Sequence, residues 1–317
     1  LNTVTPEDVN VDLNDIDSSR QMEPRTVFWK TEFKLPGTQW TLSGYSRSAY
    51  RSGFFVHGLN IMLDGGPQSF KKPDHIFITH THGDHIAELP FTMIQDVSTE
   101  DSKITVYCPE EAKVELPKYI MQLHNTNSLV DTSATSQNYY NLVPIPQTAS
   151  TRRIVINKQM MEVETVGADH GVPTVVYGFA SIKEKLDPQY AGRPGSEIAK
   201  LRKAGEKVTV EAVEKKFCYV LDTSIKTLVD NPQLLTYPIV IIECSLLMDD
   251  EVELANQKKH IHWTQLKPFV EANPKTLFIL THFSLRYKDQ EIKDFFDKVK
   301  ADTGITNIHP WLTDPVS

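Results

Sequence analysis

The sequence is poor in the features that define several large classes of protein. Its 317 residues include only 3 cysteines, Cys108, Cys218 and Cys244, and no pair of them has CxxC spacing. This odd number does not fit a disulfide framework and agrees with a reducing compartment. No apolar run approaches the roughly 20 residues that a membrane helix needs. We therefore expect an intracellular, cytoplasmic protein with no membrane partner.

Positive charge is also scarce. There are 33 Lys and Arg residues against 41 Asp and Glu, which gives a net charge of −8. The chain as a whole therefore does not attract a polyanion, and nucleic-acid binding would need a local basic patch. Hydrophobic residues make up 40% of the chain and charged residues 23%. This composition is typical of a globular protein with a large core.

The two ends of the chain differ in character. Residues 1–24 carry six acidic side chains and a single arginine, with few large apolar groups, so we expect a mobile acidic tail. Nothing in this tail resembles a secretory signal, because no basic segment precedes an apolar stretch. Residues 25–317 are predicted to form a single domain. Prolines and glycines interrupt a charged stretch at 182–215, which looks like an excursion from the core of that domain.

Short runs typical of β-strands fill most of the predicted domain. In each half of the chain strands dominate first and then alternate with helices. This order predicts an α/β fold in which two sheets pack face to face with helices outside, an αββα sandwich. Helical spacing of apolar residues predicts helices at Ile86–Asp96, Glu110–Asn125, Thr264–Ala272 and Asp289–Asp302.

The strongest functional signal is the segment Thr79-His80-Thr81-His82-Gly83-Asp84-His85, directly after the apolar run Ile76–Ile78. On an extended segment His80 and His82 point the same way and can share one ion, while Asp84 and His85 turn toward a second ion. Single donors then follow later predicted strands, at His170, Asp222 and His282. A lone His or Asp at a strand end is usually a turn former or helix cap, but the repeated placement indicates a metal site.

These residues resemble the motifs of a known superfamily. The run His80–His85 with the single downstream donors resembles the metallo-β-lactamase superfamily, and Thr281-His282-Phe283-Ser284-Leu285-Arg286-Tyr287 is similar to a motif of its tRNase Z (ribonuclease Z) family. The resemblance spans about residues 40–290 and implies the αββα fold. It implies two zinc ions, or manganese or iron in their place. One ion would take His80, His82 and His170, the other Asp84, His85 and His282, with Asp222 bridging both.

The expected chemistry is hydrolysis of a phosphodiester. Two ions roughly 3.5–4 Å apart lower the pKa of a shared water and stabilise charge on the entering and leaving oxygens. Asp84 is expected to accept a proton from that water as well as to bind metal. Asp64, in the segment Asp64-Gly65-Gly66, is interpreted as a partner that orients a ligating histidine rather than as a ligand.

The leaving oxygen needs a proton donor. Ile242-Glu243-Cys244-Ser245 and His260-Ile261-His262-Trp263-Thr264 resemble diverged versions of two family motifs. By that resemblance we expect His262 to be the donor, because Thr264 then matches the motif's threonine, and Glu243 to orient it. His260 is the alternative. The acidic run Met248–Glu253 between the two segments is interpreted as a solvated loop.

Contacts to the substrate phosphate are expected from two further loops. Ser284 and Arg286 follow His282 closely, and a guanidinium can pair bidentately with a phosphate. Arg51 lies where the family has a substrate-contacting arginine loop, and it is a second predicted phosphate contact, although an ordinary surface arginine in a turn is an equal alternative.

One feature argues against a standard tRNA processor. The family binds the tRNA elbow through a long arm before the bridging aspartate, but only 51 residues separate His170 from Asp222 here. The leading hypothesis is an endoribonuclease acting on the 3′ end of precursor tRNA. The alternatives are a small-substrate phosphodiesterase or other ester hydrolase, and a metal-binding RNA-interaction module with little catalysis. A homodimer interface on the Ile86–Asp96 helix is a further interpretation, but the same apolar stripe could pack on the sheet.

Overall fold

Two seven-stranded sheets dominate the computed structural model, which describes residues 28–69, 71–94, 103–129 and 140–313. The predicted acidic tail, 1–24, lies outside these residues. In the first sheet seven strands lie side by side in chain order. They are β1 (Glu32–Lys34), β2 (Thr41–Arg47), β3 (Arg51–His57), β4 (Ile61–Leu63), β5 (His75–Phe77), β6 (Ile104–Pro109) and β7 (Tyr140–Ile145).

The second sheet repeats this plan in the second half of the chain. Its strands are β8 (Ser150–Ile156), β9 (Gln159–Ala168), β10 (Thr174–Leu186), β11 (Thr209–Val220), β12 (Ile239–Glu243), β13 (Leu277–Thr281) and β14 (Ile308–Pro310). In each sheet the first four strands pair antiparallel, and the pairs from the fourth strand onward are parallel. The carboxyl ends of the parallel strands therefore open at a common edge of each sheet.

Helices cover the outer faces of both sheets, except for one that lies in the connection between β10 and β11. The first half contributes α1 (Gly83–Ile86), α2 (Leu89–Ile94) and α3 (Glu115–Ser128). The second half contributes α4 (Gly195–Lys203), α5 (Lys226–Asp230), α6 (Val252–Lys258), α7 (Trp263–Ala272) and α8 (Asp289–Thr303). Within the described residues, no helix combines the length and the apolar composition needed to cross a bilayer.

Three apolar clusters bind the layers together. Phe54 and Phe77 of the first sheet pack against Phe179 and Tyr219 of the second in the central cluster. One outer cluster joins the first sheet to α2 and α3, and the other joins the second sheet to α5, α7 and α8. The predicted αββα class is confirmed, because alternate side chains of each strand face the central and the outer cluster.

The observed elements differ from the predictions in a few places. The predicted helix at Ile86–Asp96 divides into α1 and α2, and its last two residues lie outside the described ranges. Ile86, Leu89 and Met93 pack on the outer face of the first sheet, so the apolar stripe is buried within the chain. The homodimer stays a prediction.

The charged segment 182–215 forms a two-stranded arm. Strands β10 and β11 continue to pair from Ser181–Glu214 to Leu186–Thr209, and α4 lies in the connection between them. Arg153 of β8 reaches this arm through an exposed ion pair with Glu211. The excursion is thus an extension of the second sheet. The sequence patterns did not indicate it, because the outer halves of both strands bury little apolar surface.

Candidate metal centre

All seven predicted metal donors come together in the structure. They lie at the carboxyl ends of β5, β11 and β13 and in the turn between β9 and β10. Their donor atoms form two groups within which all atoms lie within 4.8 Å of one another. The first group is His80, His82, His170 and Asp222, and the second is Asp84, His85, Asp222 and His282.

The first group is built around three imidazoles. Nε2 of His80 lies 3.0 Å from Nδ1 of His82, and Nε2 of His170 lies 3.4 Å from the same atom. Oδ2 of Asp222 is 3.6 Å from Nε2 of His80 and 3.8 Å from Nε2 of His170. Three nitrogens and one carboxylate oxygen thus face one point, as in tetrahedral sites for a divalent metal.

The second group uses the other oxygen of the same aspartate. Oδ1 of Asp222 lies 3.2 Å from Nε2 of His85 and 3.1 Å from Nε2 of His282. Oδ2 of Asp84 is 3.6 Å from Nε2 of His85 and 3.8 Å from Nε2 of His282. Asp222 therefore offers one carboxylate oxygen to each group.

Buried atoms without hydrogen bonds support a cation at this position. Nε2 of His85, Nε2 of His282 and Oδ1 of Asp222 are buried and have no hydrogen-bond partner among the described residues. Leaving such polar atoms unpaired is costly unless another partner satisfies them. Imidazole nitrogens and carboxylate oxygens are donors that zinc, manganese and iron accept. The residues present therefore fit a divalent metal.

The second ring nitrogen of His80, His85 and His282 is held by the protein. Nδ1 of His85 lies 2.9 Å from Oδ2 of Asp64, and Nδ1 of His282 lies 3.0 Å from the Ser245 hydroxyl. Nδ1 of His80 lies 3.0 Å from the Thr79 hydroxyl. Such partners fix the orientation and tautomer of a ligating histidine. Asp64 also accepts hydrogen bonds from the Thr79 N–H and the Tyr219 hydroxyl, so it has the position expected from the sequence.

Three residues of the site have strained backbone. Asp64, Asp222 and His282 have φ angles of 58°, 50° and 62°, in the left-handed region that non-glycine residues rarely adopt. Each of them follows the end of a strand: β4, β11 or β13. The left-handed residue turns the chain sharply, so that the side chain points across the strand ends. Strain of this kind persists at functional sites when the surrounding fold imposes it.

The charges of the site are strongly coupled. Burial by itself lowers the pKa of His85, but the carboxylates of Asp222 and Asp64 raise this pKa well above its usual value. Burial by itself raises the pKa of Asp222, but the imidazoles of His282 and His85 hold it well below its ordinary range. Burial lowers the pKa of His80. A proton on His85 thus balances Asp222, and a metal ion would compete with that proton.

A histidine–glutamate pair lies beside the second group. Nδ1 of His260 is 3.1 Å from both carboxylate oxygens of Glu243, and the His260 ring is centred 5.5 Å from the His282 ring. Glu243 is fully buried and also accepts hydrogen bonds from Thr223, Ser245 and Ile261. Burial alone would lower the pKa of His260, but Glu243 raises it to about 9. His260 therefore carries a proton at neutral pH.

His262, the donor expected from the sequence, has a capping position in the structure, and its role as donor stays a prediction. Its side chain is fully buried at the start of α7, where Nδ1 accepts a hydrogen bond from the Thr264 N–H. Nε2 lies 2.8 Å from the Met248 carbonyl and donates to it. Both ring nitrogens are thus used by main-chain groups, and His262 caps a helix. Thr264, which pointed to His262 in the sequence, is part of that cap.

The loop after His282 is held from two sides. Arg286 is exposed and lies 3.1 Å from Oε1 of Glu251, and the Tyr287 hydroxyl donates to the other oxygen of Glu251. The Ser284 hydroxyl accepts from the Arg286 N–H. Glu251 belongs to the acidic run that was interpreted as solvated, but its side chain is buried and orients Arg286. No sequence pattern indicated this contact.

Arg47 holds the other side of the same loop. Its buried guanidinium pairs with Asp289 at 2.6 Å and donates to the Tyr287 carbonyl. Arg51, the predicted phosphate contact, instead donates to the Tyr50 carbonyl and lies 3.7 Å from Glu88. Among its contacts with described residues, none involves the metal donors. The phosphate-contact role of Arg51 stays a prediction.

Comparison with known proteins agrees with the motifs. No protein-family model matches the chain. The chain is 24% identical over 269 residues to the chloroplastic tRNase Z TRZ2 of Arabidopsis thaliana, a match that covers 83% of this chain and 72% of that protein. It is 26% identical over 258 residues to tRNase Z TRZ1 of the same plant, a match that covers 80% of this chain and 88% of TRZ1.

The fold has a solved counterpart. The metallo-β-lactamase fold protein YhfI from Bacillus subtilis superposes with a TM-score of 0.54 at 12% identity, covering 86% of this chain and 95% of YhfI. The resemblance to the metallo-β-lactamase superfamily and to tRNase Z, seen in the His80–His85 and His282–Tyr287 motifs, is confirmed. The chain has the metallo-β-lactamase fold, and along most of its length it is similar in sequence to proteins named tRNase Z.

Proposed function

We propose that the chain is a metal-dependent endoribonuclease that hydrolyses a phosphodiester at the 3′ end of precursor tRNA. The observation that carries the proposal is the Asp222 carboxylate, whose two oxygens are divided between two groups of inward-facing donors. The relatives named tRNase Z support the RNA substrate. A site of this kind suits displacement at phosphorus, in which charge develops on two oxygens at once.

We assign two zinc ions to the two groups. When bound, two such ions activate a water for attack and stabilise charge on the phosphate and on the leaving oxygen. The residues of the chain do the rest. His80, His82 and His170 hold one side of the centre, Asp84, His85 and His282 hold the other, and Asp222 links them.

Two groups of the chain move protons in this proposal. Asp84 is ionised, because the imidazoles of His282 and His85 lower its pKa against the effect of burial, and its carboxylate accepts a proton from the attacking water. His260 donates a proton from Nε2 to the leaving oxygen. Its Nδ1 hydrogen bond to Glu243 fixes the ring and keeps it charged, as a buried carboxylate does for a catalytic histidine.

Arg286 and Ser284 contact the phosphate next to the cleaved bond. Arg286 lies four residues after His282, in the loop that leaves the metal centre. Its guanidinium is exposed and is held by an ion pair with Glu251. A guanidinium can bind a phosphate bidentately while one of its remaining N–H groups stays on a carboxylate.

The test compares two substrates with the zinc-loaded protein. One is a labelled precursor tRNA with a 3′ trailer, and the other is bis(p-nitrophenyl) phosphate, which carries the bond without the RNA. We expect cleavage of the precursor at a single site near the end of the acceptor stem, and loss of cleavage with a chelator.

Each alternative gives a different result. Hydrolysis of bis(p-nitrophenyl) phosphate alone would replace RNA processing by a small-substrate phosphodiesterase. Tight binding of the precursor without hydrolysis of either substrate, in protein that holds its metal, would leave an RNA-interaction module.

A further inference from the structure

A second concave site adjoins the metal centre. A cavity of about 370 Å³ opens between α3, the His80–His85 segment and the turn after β9. Its wall includes Thr81, which lies between His80 and His82, and Val172, two residues after His170. A group bound in the cavity would therefore lie beside whatever occupies the metal centre.

The cavity has an apolar floor and an acidic rim. Its floor is formed by buried side chains of Ile86, Pro109, Ala112 and Leu116. Tyr119 and Pro173 stand at its sides, and Glu111 and Glu115 are exposed at its edge. Among the described residues that line the cavity there are two carboxylates and no Lys or Arg.

This lining excludes a phosphate and favours a flat, uncharged group. A phosphate would leave water to face two carboxylates. The one cation bonded to them among the described residues, Lys118, already pairs with Glu115 and does not line the cavity, so like-charge repulsion opposes the entry of a phosphate. A nucleobase has apolar faces and carries its hydrogen-bonding groups at the edge. The Tyr119 hydroxyl donates to the Ala87 carbonyl, which holds its half-exposed ring as a fixed surface against which a base can stack.

The rim selects among the bases. A carboxylate is an acceptor with about four lone-pair sites, so Glu111 and Glu115 can accept further hydrogen bonds beside those from Gln147 and Lys118. Cytosine, adenine and guanine carry an exocyclic amino group that donates two hydrogen bonds, whereas uracil has no amino group and presents two carbonyl oxygens with a single N–H between them. Uracil oxygens opposite two carboxylates would repel.

We propose that this cavity binds the base of the nucleotide next to the cleaved phosphodiester and prefers bases with an exocyclic amino group to uracil. The inference rests on the proposed function, since the base enters as part of the RNA held at the metal centre. It adds a preference for sequence to a site whose other contacts are with phosphate.

The first experiment measures binding without catalysis. Saturation-transfer difference NMR on the full chain compares cytidine with uridine as free nucleosides. We expect stronger transfer to the base protons of cytidine and an affinity about fivefold higher, which corresponds to one net hydrogen bond. In the double variant Glu111→Gln/Glu115→Gln the difference should disappear, because an amide side chain can donate to uracil as well as accept from cytosine.

The matched control is Glu110→Gln. Glu110 lies on the same turn as Glu111 and pairs with Lys113, and it does not line the cavity. It should keep the preference for cytidine. Equal transfer to cytidine and uridine in the wild type overturns the inference, whether or not the protein cleaves RNA. So does a preference that survives in the double variant, provided that the melting temperature shows a folded chain.

The second experiment measures cleavage of precursors that differ only in C or U on either side of the cleaved bond. Faster cleavage of the C substrate by the wild type, with equal rates in the double variant, is the expected result. No cleavage of any RNA combined with a clear preference for cytidine would reject the proposed ribonuclease and leave the base-binding cavity. Cleavage of the C and U substrates at equal rates would support the proposed ribonuclease and reject the base-binding cavity.

Discussion

The two halves of the chain build the candidate site in different ways. The first half provides His80, His82, Asp84 and His85 from one continuous segment after β5. The second half provides its donors one at a time, His170, Asp222 and His282, from the ends of three separate strands. It also provides the Glu243–His260 pair from a strand end and a loop.

This difference determines how much a local change can disturb. In the first segment the backbone alone keeps the donors near each other, because few residues separate them. In the second half each donor depends on the position of its own strand, and Asp222 and His282 depend also on left-handed backbone that turns the chain. Substitutions in the second half should therefore report on the tertiary structure as well as on chemistry.

The largest effect is expected at Asp222. Asp222→Ala removes an oxygen from both groups, so we expect loss of both metal ions and of turnover, with metal affinity lowered by more than about 100-fold. His82→Ala in the first segment removes a donor from one group only, so we expect one ion to remain. Metal content per chain measures the difference, and Asp230→Asn, at an exposed aspartate of α5, is the control. Two ions retained in Asp222→Ala would contradict the shared role.

The next effect separates His260 from His262. His260→Ala should lower turnover by about 10²–10⁴-fold, the usual contribution of a general acid, while metal content stays unchanged. His262→Ala removes the cap of α7 and the hydrogen bond to Met248, so it should cost about 1–2 kcal/mol of the free energy of unfolding. Rates and urea denaturation of both variants give the comparison. A larger loss of turnover in folded His262→Ala would restore the assignment made from the sequence.

A pH titration tests whether Glu243 raises the pKa of His260. The pKa of His260 is about 9 in the folded chain against an ordinary value near 6.5. The charged Glu243–His260 pair therefore contributes fully to the free energy of unfolding below pH 6.5. This contribution is lost as the pH rises from 6.5 to about 9, by up to ~1.4 kcal/mol per pH unit. Glu243→Gln should lower the pKa of His260 and flatten this loss. NMR of the His260 ring in metal-free protein and unfolding between pH 6 and 10 measure both; an unchanged pKa would show that Glu243 is not its cause.

The smallest effect is expected at Glu251. Glu251→Gln weakens the contacts that hold Arg286 and Tyr287, so we expect KM for the RNA to rise a few-fold while kcat changes little. Glu253→Gln, on the exposed part of the same acidic run, is the matched control and should leave both constants unchanged. A fall in kcat with constant KM would instead place Glu251 in the chemical step.

The sequence by itself determined the fold class of this protein and the main segment of its candidate site. The His80–His85 segment was recognisable because its four donors are neighbours in sequence and follow a buried strand. The αββα class followed from strand and helix periodicity, which depends on which side of each element faces apolar surroundings. Even the scattered residues that meet at the candidate site were predicted from the sequence, since each stands at the end of an apolar run.

The tertiary structure decided what depends on contacts between distant segments. Whether His260 or His262 meets Glu243 depends on where the loop before α7 lies against β12, and two histidines two residues apart look alike in sequence. Arg47, not Arg51, reaches the loop after His282, and Glu251 is buried by a partner 36 positions away. Long-range pairing is set by packing of whole layers and not by the residues nearest in the chain, so a single sequence carries little trace of it.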